Sequence, residues 1–491
     1  MAQPSRLEAV GLPTMTALQS YPAYKDSGVE WLGDVPEHWE LRRTKTLLKQ
    51  RTEKGFPDEP LLAATQTKGV VRKEQYENRT VLALKDLHLL KLVRVGDFVI
   101  SLRSFQGGIE FAREQGIISP AYTVLFPVHP EDHGYLSHLF KSAPYVENLS
   151  LFVTGIRQGQ NIDYAKLARS RLPLPPAREQ TAITRFLDDA DHRIRRYIRA
   201  KERLIELLEE ERRTTIHEAV TGRIDVRTGQ PYPAYKDSGV EWLGEVPEHW
   251  EVRSLGTFGR FFKGSGGTKA DVTAQGVPCV RYGDLYTRHQ FRITESKACV
   301  ATHRAGAYTP VRYGDVLFAG SGETLEEIGK SAVNLIRGST VCGGDVIVFR
   351  PTIGVDAEFM GWSTDCRRAA SQKARMGRGI TVMHIYSSGL KYLAVPLPPL
   401  TEQTAIARFL AAAERRLSAR RTTVARQIAL LREYRTRLIA DVVTGKLDVR
   451  EAAAKLPETA LLAADRDRAG TIPTESNPHS TESDMMKEAV P

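Results

Sequence analysis

The sequence predicts an α+β protein in which two mixed α/β domains are joined by two long helices. The helices are expected to pair as an antiparallel coiled coil, with pseudo-two-fold symmetry. Three observations predict this fold class. Long segments of the chain occur twice, each copy ends in a helical segment with an apolar stripe, and the sequence inside each copy differs from the other.

The duplication is the clearest feature of the chain. Residues 21–42 (YPAYKDSGVEWLGDVPEHWELR) and residues 232–253 are identical at 20 of 22 positions, at an offset of 211. The segments PLPPAREQTAITRFL, from Pro173, and PLPPLTEQTAIARFL, from Pro396, agree at 12 of 15 positions, at an offset of 223. VTGRIDVR, from Val220, returns at the same offset as VTGKLDVR. Two long repeats with divergent centres exclude a solenoid, which needs many short ones.

A long helix is predicted after each PLPP segment. Apolar residues follow one another there at an average spacing of about 3.5 residues, which is typical of a coiled-coil seam. Gly222 and Gly445 mark the predicted ends, and about 44 helical residues give a rod of roughly 65 Å. The predicted pairing residues are Ile183, Leu187, Ile194, Leu204, Leu208, Ile406, Leu410, Leu417, Leu431 and Leu438. The alternative is that each stripe packs on its own globular block.

The remaining segments follow from these landmarks. Strand-like runs are predicted at 97–102, 121–126, 315–318 and 345–349, and helices at 134–151 and 357–375. The predicted division is an N-terminal extension (1–20), a first domain (21–171), a first long helix (172–227), a second domain (232–395), a second long helix (396–450) and a disordered tail (451–491).

Both divergent blocks carry an excess of positive charge. The 491 residues carry a formal net charge of +10. Residues 43–171 hold 19 basic and 13 acidic side chains, residues 254–395 hold 18 and 11, and the helical segment 172–227 is nearly balanced, with 12 and 11. Two separate basic blocks favour an anionic partner.

Several classes of function find no support in the sequence. The four cysteines (Cys279, Cys299, Cys342 and Cys366) contain no C-x-x-C pair, so we expect neither a zinc site nor a disulfide framework. Methyltransferase, P-loop and H-E-x-x-H motifs are not found, and we expect His38 and His249 to be structural. With no long apolar run and no secretory signal, we expect a cytoplasmic protein without a membrane segment.

The order of the repeated segments resembles the specificity subunits of type I restriction–modification systems. It reads YPAYKDSGVEWLGxVPEHWE, divergent block, PLPPxxEQxAI, long helix and TGxxDVR, twice over residues 21–450. The resemblance implies a non-catalytic subunit with two target-recognition domains that bind a bipartite, asymmetric site in double-stranded DNA. It also implies two copies of an adenine-specific methyltransferase as partners, together with a restriction and translocase subunit. No cofactor is expected in this chain; S-adenosylmethionine, ATP and Mg are expected on the partners.

Candidate DNA-binding residues lie in loops that correspond between the blocks, because Gly96-Asp97 and Gly314-Asp315 occupy equivalent places. Arginine and glutamine can contact guanine and adenine edges, and glycine permits close backbone approach. The candidates are Arg103, Ser104, Gln106, Gly107, Arg157, Gln158, Gln160, Asn161, Lys269, Tyr282, Ser321, Glu323, Thr324, Lys373, Arg375 and Arg378. Two alternatives stay open: these loops are ordinary solvated turns, or the chain is a coiled-coil scaffold whose variable heads bind proteins.

Overall fold

The structure is a computed structural model that describes residues 13–75, 86–154, 161–241, 243–267 and 271–457. The chain divides into two compact units. Unit 1 consists of Met1–Lys201 and Arg426–Pro491, and unit 2 of Glu202–Ala425. This division cuts across the predicted one, because each unit contains one divergent block together with part of each long helix.

Unit 1 begins with fourteen strands and five short helices among its described residues, followed by the first long helix. The strands are β1 (Tyr24–Asp26), β2 (Asp34–Pro36), β3 (Glu40–Arg43), β4 (Leu48–Arg51), β5 (Leu62–Thr65), β6 (Gly69–Arg72), β7 (Lys91–Val93), β8 (Phe98–Ile100), β9 (Glu110–Phe111), β10 (Gly116–Ile118), β11 (Thr123–Pro127), β12 (Val153–Thr154), β13 (Asn161–Ile162) and β14 (Arg171–Leu174). The helices are α1 (Thr44–Leu47), α2 (Ser104–Gly107), α3 (His133–Leu139), α4 (Ala143–Leu149), α5 (Tyr164–Leu167) and α6 (Ala177–Thr221), which continues into unit 2.

Unit 2 carries the remaining strands. They are β15 (Tyr235–Asp237), β16 (Glu245–Pro247), β17 (Glu251–Ser254), β18 (Gly259–Lys263), β19 (Val272–Thr273), β20 (Val277–Val280), β21 (Phe291–Ile293), β22 (Cys299–Val300), β23 (Thr309–Val311), β24 (Val316–Ala319), β25 (Ser321–Gly322), β26 (Ser331–Asn334), β27 (Thr340–Cys342), β28 (Val346–Pro351), β29 (Met383–His384) and β30 (Ala394–Leu397). The helices are α7 (Tyr282–Thr287), α8 (Ala357–Asp365), α9 (Arg367–Met376), α10 (Ser387–Leu390) and α11 (Leu400–Val443), which returns to unit 1 and is followed by α12 (Arg450–Ala454).

Both units are built on the same four-stranded antiparallel sheet, although the sequences of the blocks have diverged. The strand order is β4-β11-β8-β9 in unit 1 and β18-β28-β24-β26 in unit 2, where β21 adds a fifth, parallel strand. Unit 2 also has a second five-stranded sheet, β19-β22-β20-β27-β23. In each unit a two-stranded ladder, β3 with β14 or β17 with β30, joins the two ends of the block.

The four predicted strands are confirmed as β8, β11, β24 and β28. The two predicted helices are also found, but each is divided in two. Pro144 opens α4 after the break in unit 1, and Cys366 is extended between α8 and α9 in unit 2. The apolar periodicity predicted both segments without showing the break, because the apolar side chains of the paired helices face the same core.

The predicted fold class is confirmed: two mixed α/β domains are joined by two long helices that pair antiparallel. Helix α6 has 45 residues and α11 has 44. In unit 2, Arg212 binds the Glu414 carboxylate at 2.6 Å, and Glu209 pairs with Arg421, further along α11. Glu209 precedes Arg212 in α6, whereas its partner Arg421 follows Glu414 in α11, so the two helices are antiparallel. In unit 1 the same ion pair recurs at an offset of 223, between Arg435 and Asp191.

The predicted pairing residues are buried, with one exception. In unit 1, Ile183, Leu187 and Ile194 share one core with Leu431 and Leu438, and that core also contains side chains of the divergent block. The stripes therefore pack on the partner helix and on their own block at once, so both alternatives hold. The exception is a correction. Leu204 is 38% exposed, because the apolar spacing lapses at Lys201 and turns Leu204 towards solvent.

The described part of the C-terminal tail corrects a second prediction. Residues 451–457 are not disordered: α12 covers most of them, and Ala453 is buried in the core of unit 1. The N-terminal segment is also packed there, since Met15 contacts the core and the Tyr434 hydroxyl donates to the Pro13 carbonyl at 2.6 Å. The rest of the predicted tail, residues 458–491, lies outside the described residues.

A buried carboxylate joins the start of each long helix to the repeated YPAY…PEHW segment. In unit 1, Glu179 accepts hydrogen bonds from the Tyr21 hydroxyl at 2.5 Å and the Trp39 Nε1 at 2.9 Å, and it lies 2.8 Å from the His38 Nε2. This geometry gives His38 the structural role expected from the sequence. We call this group of four side chains the carboxylate anchor of unit 1.

Unit 2 repeats the carboxylate anchor with Glu402, Tyr232, His249 and Trp250, at 2.9–3.0 Å. Burial alone would raise the pKa of the Glu402 carboxyl, but the hydrogen bonds from Trp250, His249 and Tyr232 outweigh it and hold that pKa below its usual value. Burial and the hydrogen bond with Glu402 raise the pKa of the Tyr232 hydroxyl. Glu402 therefore stays ionised in the folded unit.

The TGxxDVR segment closes each unit behind the long helix. In unit 2, the Asp225 amide donates to the Gln230 carbonyl at 2.8 Å within a continuous stretch of chain. In unit 1, the equivalent Asp448 amide donates to the Gln19 carbonyl at 2.7 Å, although these residues lie near opposite ends of the sequence. The order of segments in unit 1 is thus a circular permutation of the order in unit 2.

Glycine is required where each long helix ends. Gly222 and Gly445 have φ values of +72° and +78°, which L side chains rarely adopt. A Cβ on Gly222 would lie 2.5 Å from the Pro247 side chain, and one on Gly445 would lie 2.3 Å from Pro36. The predicted helix ends are confirmed, and they let the PEHW segment pack directly against the turn.

Leu417→Ala should destabilise unit 2 by about 2–4 kcal/mol, because it removes a fully buried side chain and leaves a cavity. Leu204→Ala, in the same unit and also on a long helix, should cost less than about 1 kcal/mol, because Leu204 is exposed. The slowest amide exchange in β24 and β28 reports the free energy of opening of unit 2. Equal losses in the two variants would contradict the burial described here.

Glu402→Gln should destabilise unit 2 by about 2–3 kcal/mol at pH 7, because hydrogen bonds to a charged acceptor are replaced. Since the folded pKa of Glu402 is lowered, its stabilising contribution is present above the unfolded carboxyl pKa of about 4.3 and is lost as pH falls through the folded value. The difference from wild type should therefore shrink at acid pH. Urea unfolding at several pH values measures this difference, with Glu251→Gln, at the exposed first position of β17, as the control. A pH-independent difference would count against the ionised anchor.

Candidate nucleic-acid interface

The predicted correspondence between the two loops holds in the backbone. In unit 1, Gly96 donates to the Ala112 carbonyl at 2.9 Å, and the Ala112 amide donates to the Asp97 carbonyl at 2.8 Å. In unit 2, Gly314 and Asn334 make the same exchange, the Asn334 amide donating to Asp315, both at 2.8 Å. The candidate loops are thus equivalent connections, between β8 and β9 in unit 1 and between β24 and β26 in unit 2.

A buried aspartate fixes the strand that leads into each loop. Asp97 accepts from the Arg94 amide at 2.8 Å and from the Arg51 Nε at 2.7 Å. In unit 2, Asp315 accepts from the Arg312 amide at 2.7 Å and from the Arg350 guanidinium, and the hydrogen bond with Asp315 raises the pKa of Arg350. These ion pairs lie at the base of the sheet, that is, at the ends of β8 and β24 that are remote from the loops.

The unit 1 loop presents two candidates and buries a third. Arg103, directly before α2, and Gln106, within it, are exposed. Ser104 is buried, and its hydroxyl accepts from the Ser101 amide at 2.9 Å. The prediction that Ser104 contacts DNA is therefore corrected: its side chain holds the turn that opens α2. Gly107 is partly buried, since a Cβ there would lie 2.8 Å from the Gln66 side chain.

The second candidate segment of unit 1 is described only in part. Asn161 is exposed in β13, which pairs with β12 through Thr154. Arg157, Gln158 and Gln160 lie outside the described residues, as does Lys269 of unit 2.

In unit 2, the first candidate loop is held against α7. The Tyr286 hydroxyl donates to the Ser321 carbonyl at 3.0 Å. Tyr282 lies one helical turn earlier and is 43% exposed, while Glu323 and Thr324 are exposed beyond the contact. Among the candidates of this block, Ser321, Glu323 and Thr324 thus lie in one loop, and Tyr282 lies on the helix that contacts this loop.

The second candidate segment of unit 2 packs against the first loop. A Cβ on Gly377 would lie 2.9 Å from Leu325 of that loop. Arg375 and Arg378 are exposed on either side of Gly377. Lys373 is a correction: it is fully buried, and its ammonium donates to the Gly329 carbonyl at 2.7 Å. It supports the loop from within the unit and is not available to DNA in this structure.

Comparison with known proteins agrees with this geometry. No protein-family profile matches the chain. The putative type I restriction enzyme MjaX specificity subunit of Methanocaldococcus jannaschii is 23% identical over 455 residues, which cover 85% of this chain and 96% of that protein. One solved structure concerns the complex assembly and conformational transition of the type I R-M system. A chain of that structure matches with a TM-score of 0.63 at 18% identity, and the match covers 84% of this chain and 99% of that one.

The chain is therefore similar over most of its length to a putative type I restriction enzyme specificity subunit. The similarity extends through both units, as the coverage of the two chains requires. The resemblance inferred from the order of the repeated segments is therefore confirmed. The exposed loops described above lie in the blocks that differ between the two halves of this chain.

Sequence reasoning missed two groups of exposed or partly exposed polar residues beside the candidate loops. In unit 1, the β5–β6 turn carries Gln66, Thr67 and Lys68 next to α2. In unit 2, the His384 ring lies 3.0 Å from the Ser321 hydroxyl, and Tyr386 is exposed beside it. His384 could have been found, because it stands at the offset of 223 from Asn161. The β5–β6 turn has no such signal.

Among the residues that the structure describes, no group of three or more His, Cys, Asp or Glu side chains is arranged to hold a metal ion. The four cysteines carry free thiols, and burial raises the pKa of Cys279 to about 11. Within the same ranges, no helix combines the length and apolar character needed to cross a bilayer.

Proposed function

We propose that this chain is the DNA sequence-specificity subunit of a type I restriction–modification complex. It binds a bipartite, asymmetric target, one half-site for each unit, and directs adenine methylation and restriction that partner subunits carry out. In this proposal the chain itself is not catalytic. It works in the cytoplasm, where double-stranded DNA is the substrate of the complex.

One observation carries the proposal: two units with the same anchor and the same four-stranded sheet present unlike loops at equivalent positions. The unit 1 loop exposes Arg103 and Gln106, whereas the unit 2 loop exposes Glu323 and Thr324. Arginine pairs with guanine edges, glutamine with adenine, and glutamate accepts from cytosine. Unlike loops on equal supports are what the recognition of two unlike half-sites requires.

The charge distribution supports binding to a duplex. Each divergent block has an excess of basic residues, and so does the second helical segment, 396–450, with 11 basic and 5 acidic side chains. Attraction to phosphates supplies affinity without sequence preference, and contacts to base edges supply the preference. Because both units belong to one chain, the second half-site is bound intramolecularly, which raises the affinity for a correctly spaced target.

The partners in this proposal are two methyltransferase subunits and a restriction and translocase subunit. The duplication supports the number two, because the carboxylate anchor and the segments at both ends of the long helices are repeated with few changes and offer equivalent surfaces twice. S-adenosylmethionine, ATP and Mg would be bound by those partners.

The complex with the methyltransferase partner should bind random duplex DNA with a steep dependence on salt. If each unit contacts several phosphates, the logarithm of the binding constant should fall with the logarithm of salt concentration with a slope of about −5 or steeper. Gel shifts at a series of salt concentrations measure the slope. A complex that binds no DNA, while its heads capture proteins, would support the scaffold alternative instead.

Replacing residues 254–394 with the block of another such subunit should change one half-site and leave the other intact. The two ends of the graft are adjacent, because Ser254 and Ala394 are Cα partners in the β17–β30 ladder. Sequencing of methylated adenines in the host reports both half-sites. The reciprocal control replaces residues 43–171, whose ends pair in the β3–β14 ladder; alteration of both half-sites by either exchange would refute the two-reader arrangement.

A further inference from the structure

The two candidate loops share a contact that their sequences do not reveal. The cross-strand pairs Phe98–Phe111 and Val316–Val333 are equivalent, because each first member follows the buried aspartate. Counting back four residues from the second member reaches Gly107 in unit 1 and Gly329 in unit 2. These glycines are therefore structural equivalents at the end of their loops.

A lysine ammonium binds the carbonyl of this glycine in both units. The Lys141 Nζ donates to the Gly107 carbonyl at 2.7 Å, and the Lys373 Nζ donates to the Gly329 carbonyl, also at 2.7 Å. Each ammonium is paired with a buried carboxylate: Glu110 at 2.5 Å in unit 1 and Asp365 at 3.0 Å in unit 2. We call each of these groups a lysine clamp.

Each clamp also reaches a third group. Lys141 lies 3.3 Å from the Gln66 carbonyl, so it ties the β5–β6 turn to the end of α2. Lys373 lies 3.4 Å from the Ser331 hydroxyl, at the start of β26. An ammonium has three donors in a tetrahedral arrangement, so one side chain can fix three separate chain segments at once.

The two clamps are built from residues at different positions. Lys141 lies between α3 and α4, and its acid, Glu110, is on β9. In unit 2 the acid, Asp365, ends α8, and Lys373 lies in α9. The lysine therefore lies on the helix side in both units, whereas the acid lies on a strand in unit 1 and at the end of a helix in unit 2, although the bound carbonyl is equivalent. The contact is retained while the residues that make it differ.

Stability alone is a weak reason for such a group. Glu110 is 2% exposed and Lys373 is fully buried. Desolvating an ion pair costs free energy that its attraction often fails to recover, and apolar residues of similar volume are frequently as stable. What an apolar residue cannot do is bind the loop carbonyl and hold the exposed side chains in one geometry.

On the basis of the proposed function, we infer that Lys141 and Lys373 are positioning residues that set the base preference of their units. Each fixes the end of a recognition loop, and so fixes the direction in which the exposed residues of that loop approach the bases. Selective hydrogen bonding to base edges depends on rigidly held side chains, because a loop that can shift can pair with more than one base.

The test uses the full chain in complex with its methyltransferase partner and a library of duplexes randomised in both half-sites. Lys373→Met keeps the length of the side chain and removes its three donors. It should lower the preference for the correct bases about tenfold at one or more positions of the unit 2 half-site, and leave the unit 1 half-site unchanged. Lys141→Met should do the reverse, and Lys141→Arg, which keeps a donor for Gly107 and Glu110, should retain the wild-type preference.

The matched control is Arg350→Met. It breaks the ion pair with Asp315 in unit 2, at the base of the sheet and away from the Gly329 carbonyl. It should lower thermal stability as Lys373→Met does, but keep the base preference. If Lys373→Met keeps the wild-type preference and loses only stability, or if Lys141→Arg is as relaxed as Lys141→Met, the positioning role is refuted. A wild-type complex without preference at either half-site would instead refute the proposed function.

Discussion

The structure depends on one buried carboxylate in each unit. Glu179 and Glu402 stand in the first turn of the long helices, and each gathers a tyrosine hydroxyl, an indole N–H and a histidine nitrogen from the repeated YPAY…PEHW segment. A buried charge must be satisfied by several donors, and three from one segment leave little freedom in how the helix meets it. The anchor thereby sets where the divergent block begins and ends, since β3 and β14 or β17 and β30 flank it.

The rest of each frame, by which we mean the repeated segments that surround the divergent block of a unit, follows from that constraint. Gln180 and Gln403, next to the anchoring glutamates, donate to the Pro175 and Pro398 carbonyls. Gly222 and Gly445 allow the TGxxDVR turn to pack on the same PEHW segment. Unit 2 closes this ring through a continuous chain, whereas unit 1 closes it without a covalent link. The same closing bond, at 2.7–2.8 Å, is formed in both, so the frame does not depend on chain connectivity.

The frame was predictable because it is repeated. The packing of residues in and around the loops was not predictable in this way, because the loop sequences differ between the units. Apolar spacing predicted the two long helices, and Gly222 and Gly445 predicted their C-terminal ends to within a residue or two. The shared Gly-Asp pairs located the loops. The local sequence could not show that the Asp448 amide pairs with the Gln19 carbonyl. The predicted domain boundaries therefore do not coincide with those of the two units. Lys373 stands in a basic run between exposed Ser371 and Arg375, and only the packing of α9 shows that it is buried. The prediction for Leu204 was wrong for the opposite reason. Leu204 fits the apolar spacing of the sequence, but at this point of the helix that spacing no longer marks the buried face.

The lysine clamps show what kind of constraint acts inside the divergent blocks. In the frame, the identity of each residue is retained: the tyrosine, histidine, tryptophan and glutamate of the anchor are the same in both units. In the loops only the contact is retained, because the acid that pairs with the lysine lies on strand β9 in unit 1 and at the end of helix α8 in unit 2. A recognition surface that must differ between half-sites can change its side chains freely, provided that the backbone beneath them is held. Fixing a glycine carbonyl meets that condition, because every sequence has a carbonyl there, whatever residues surround it.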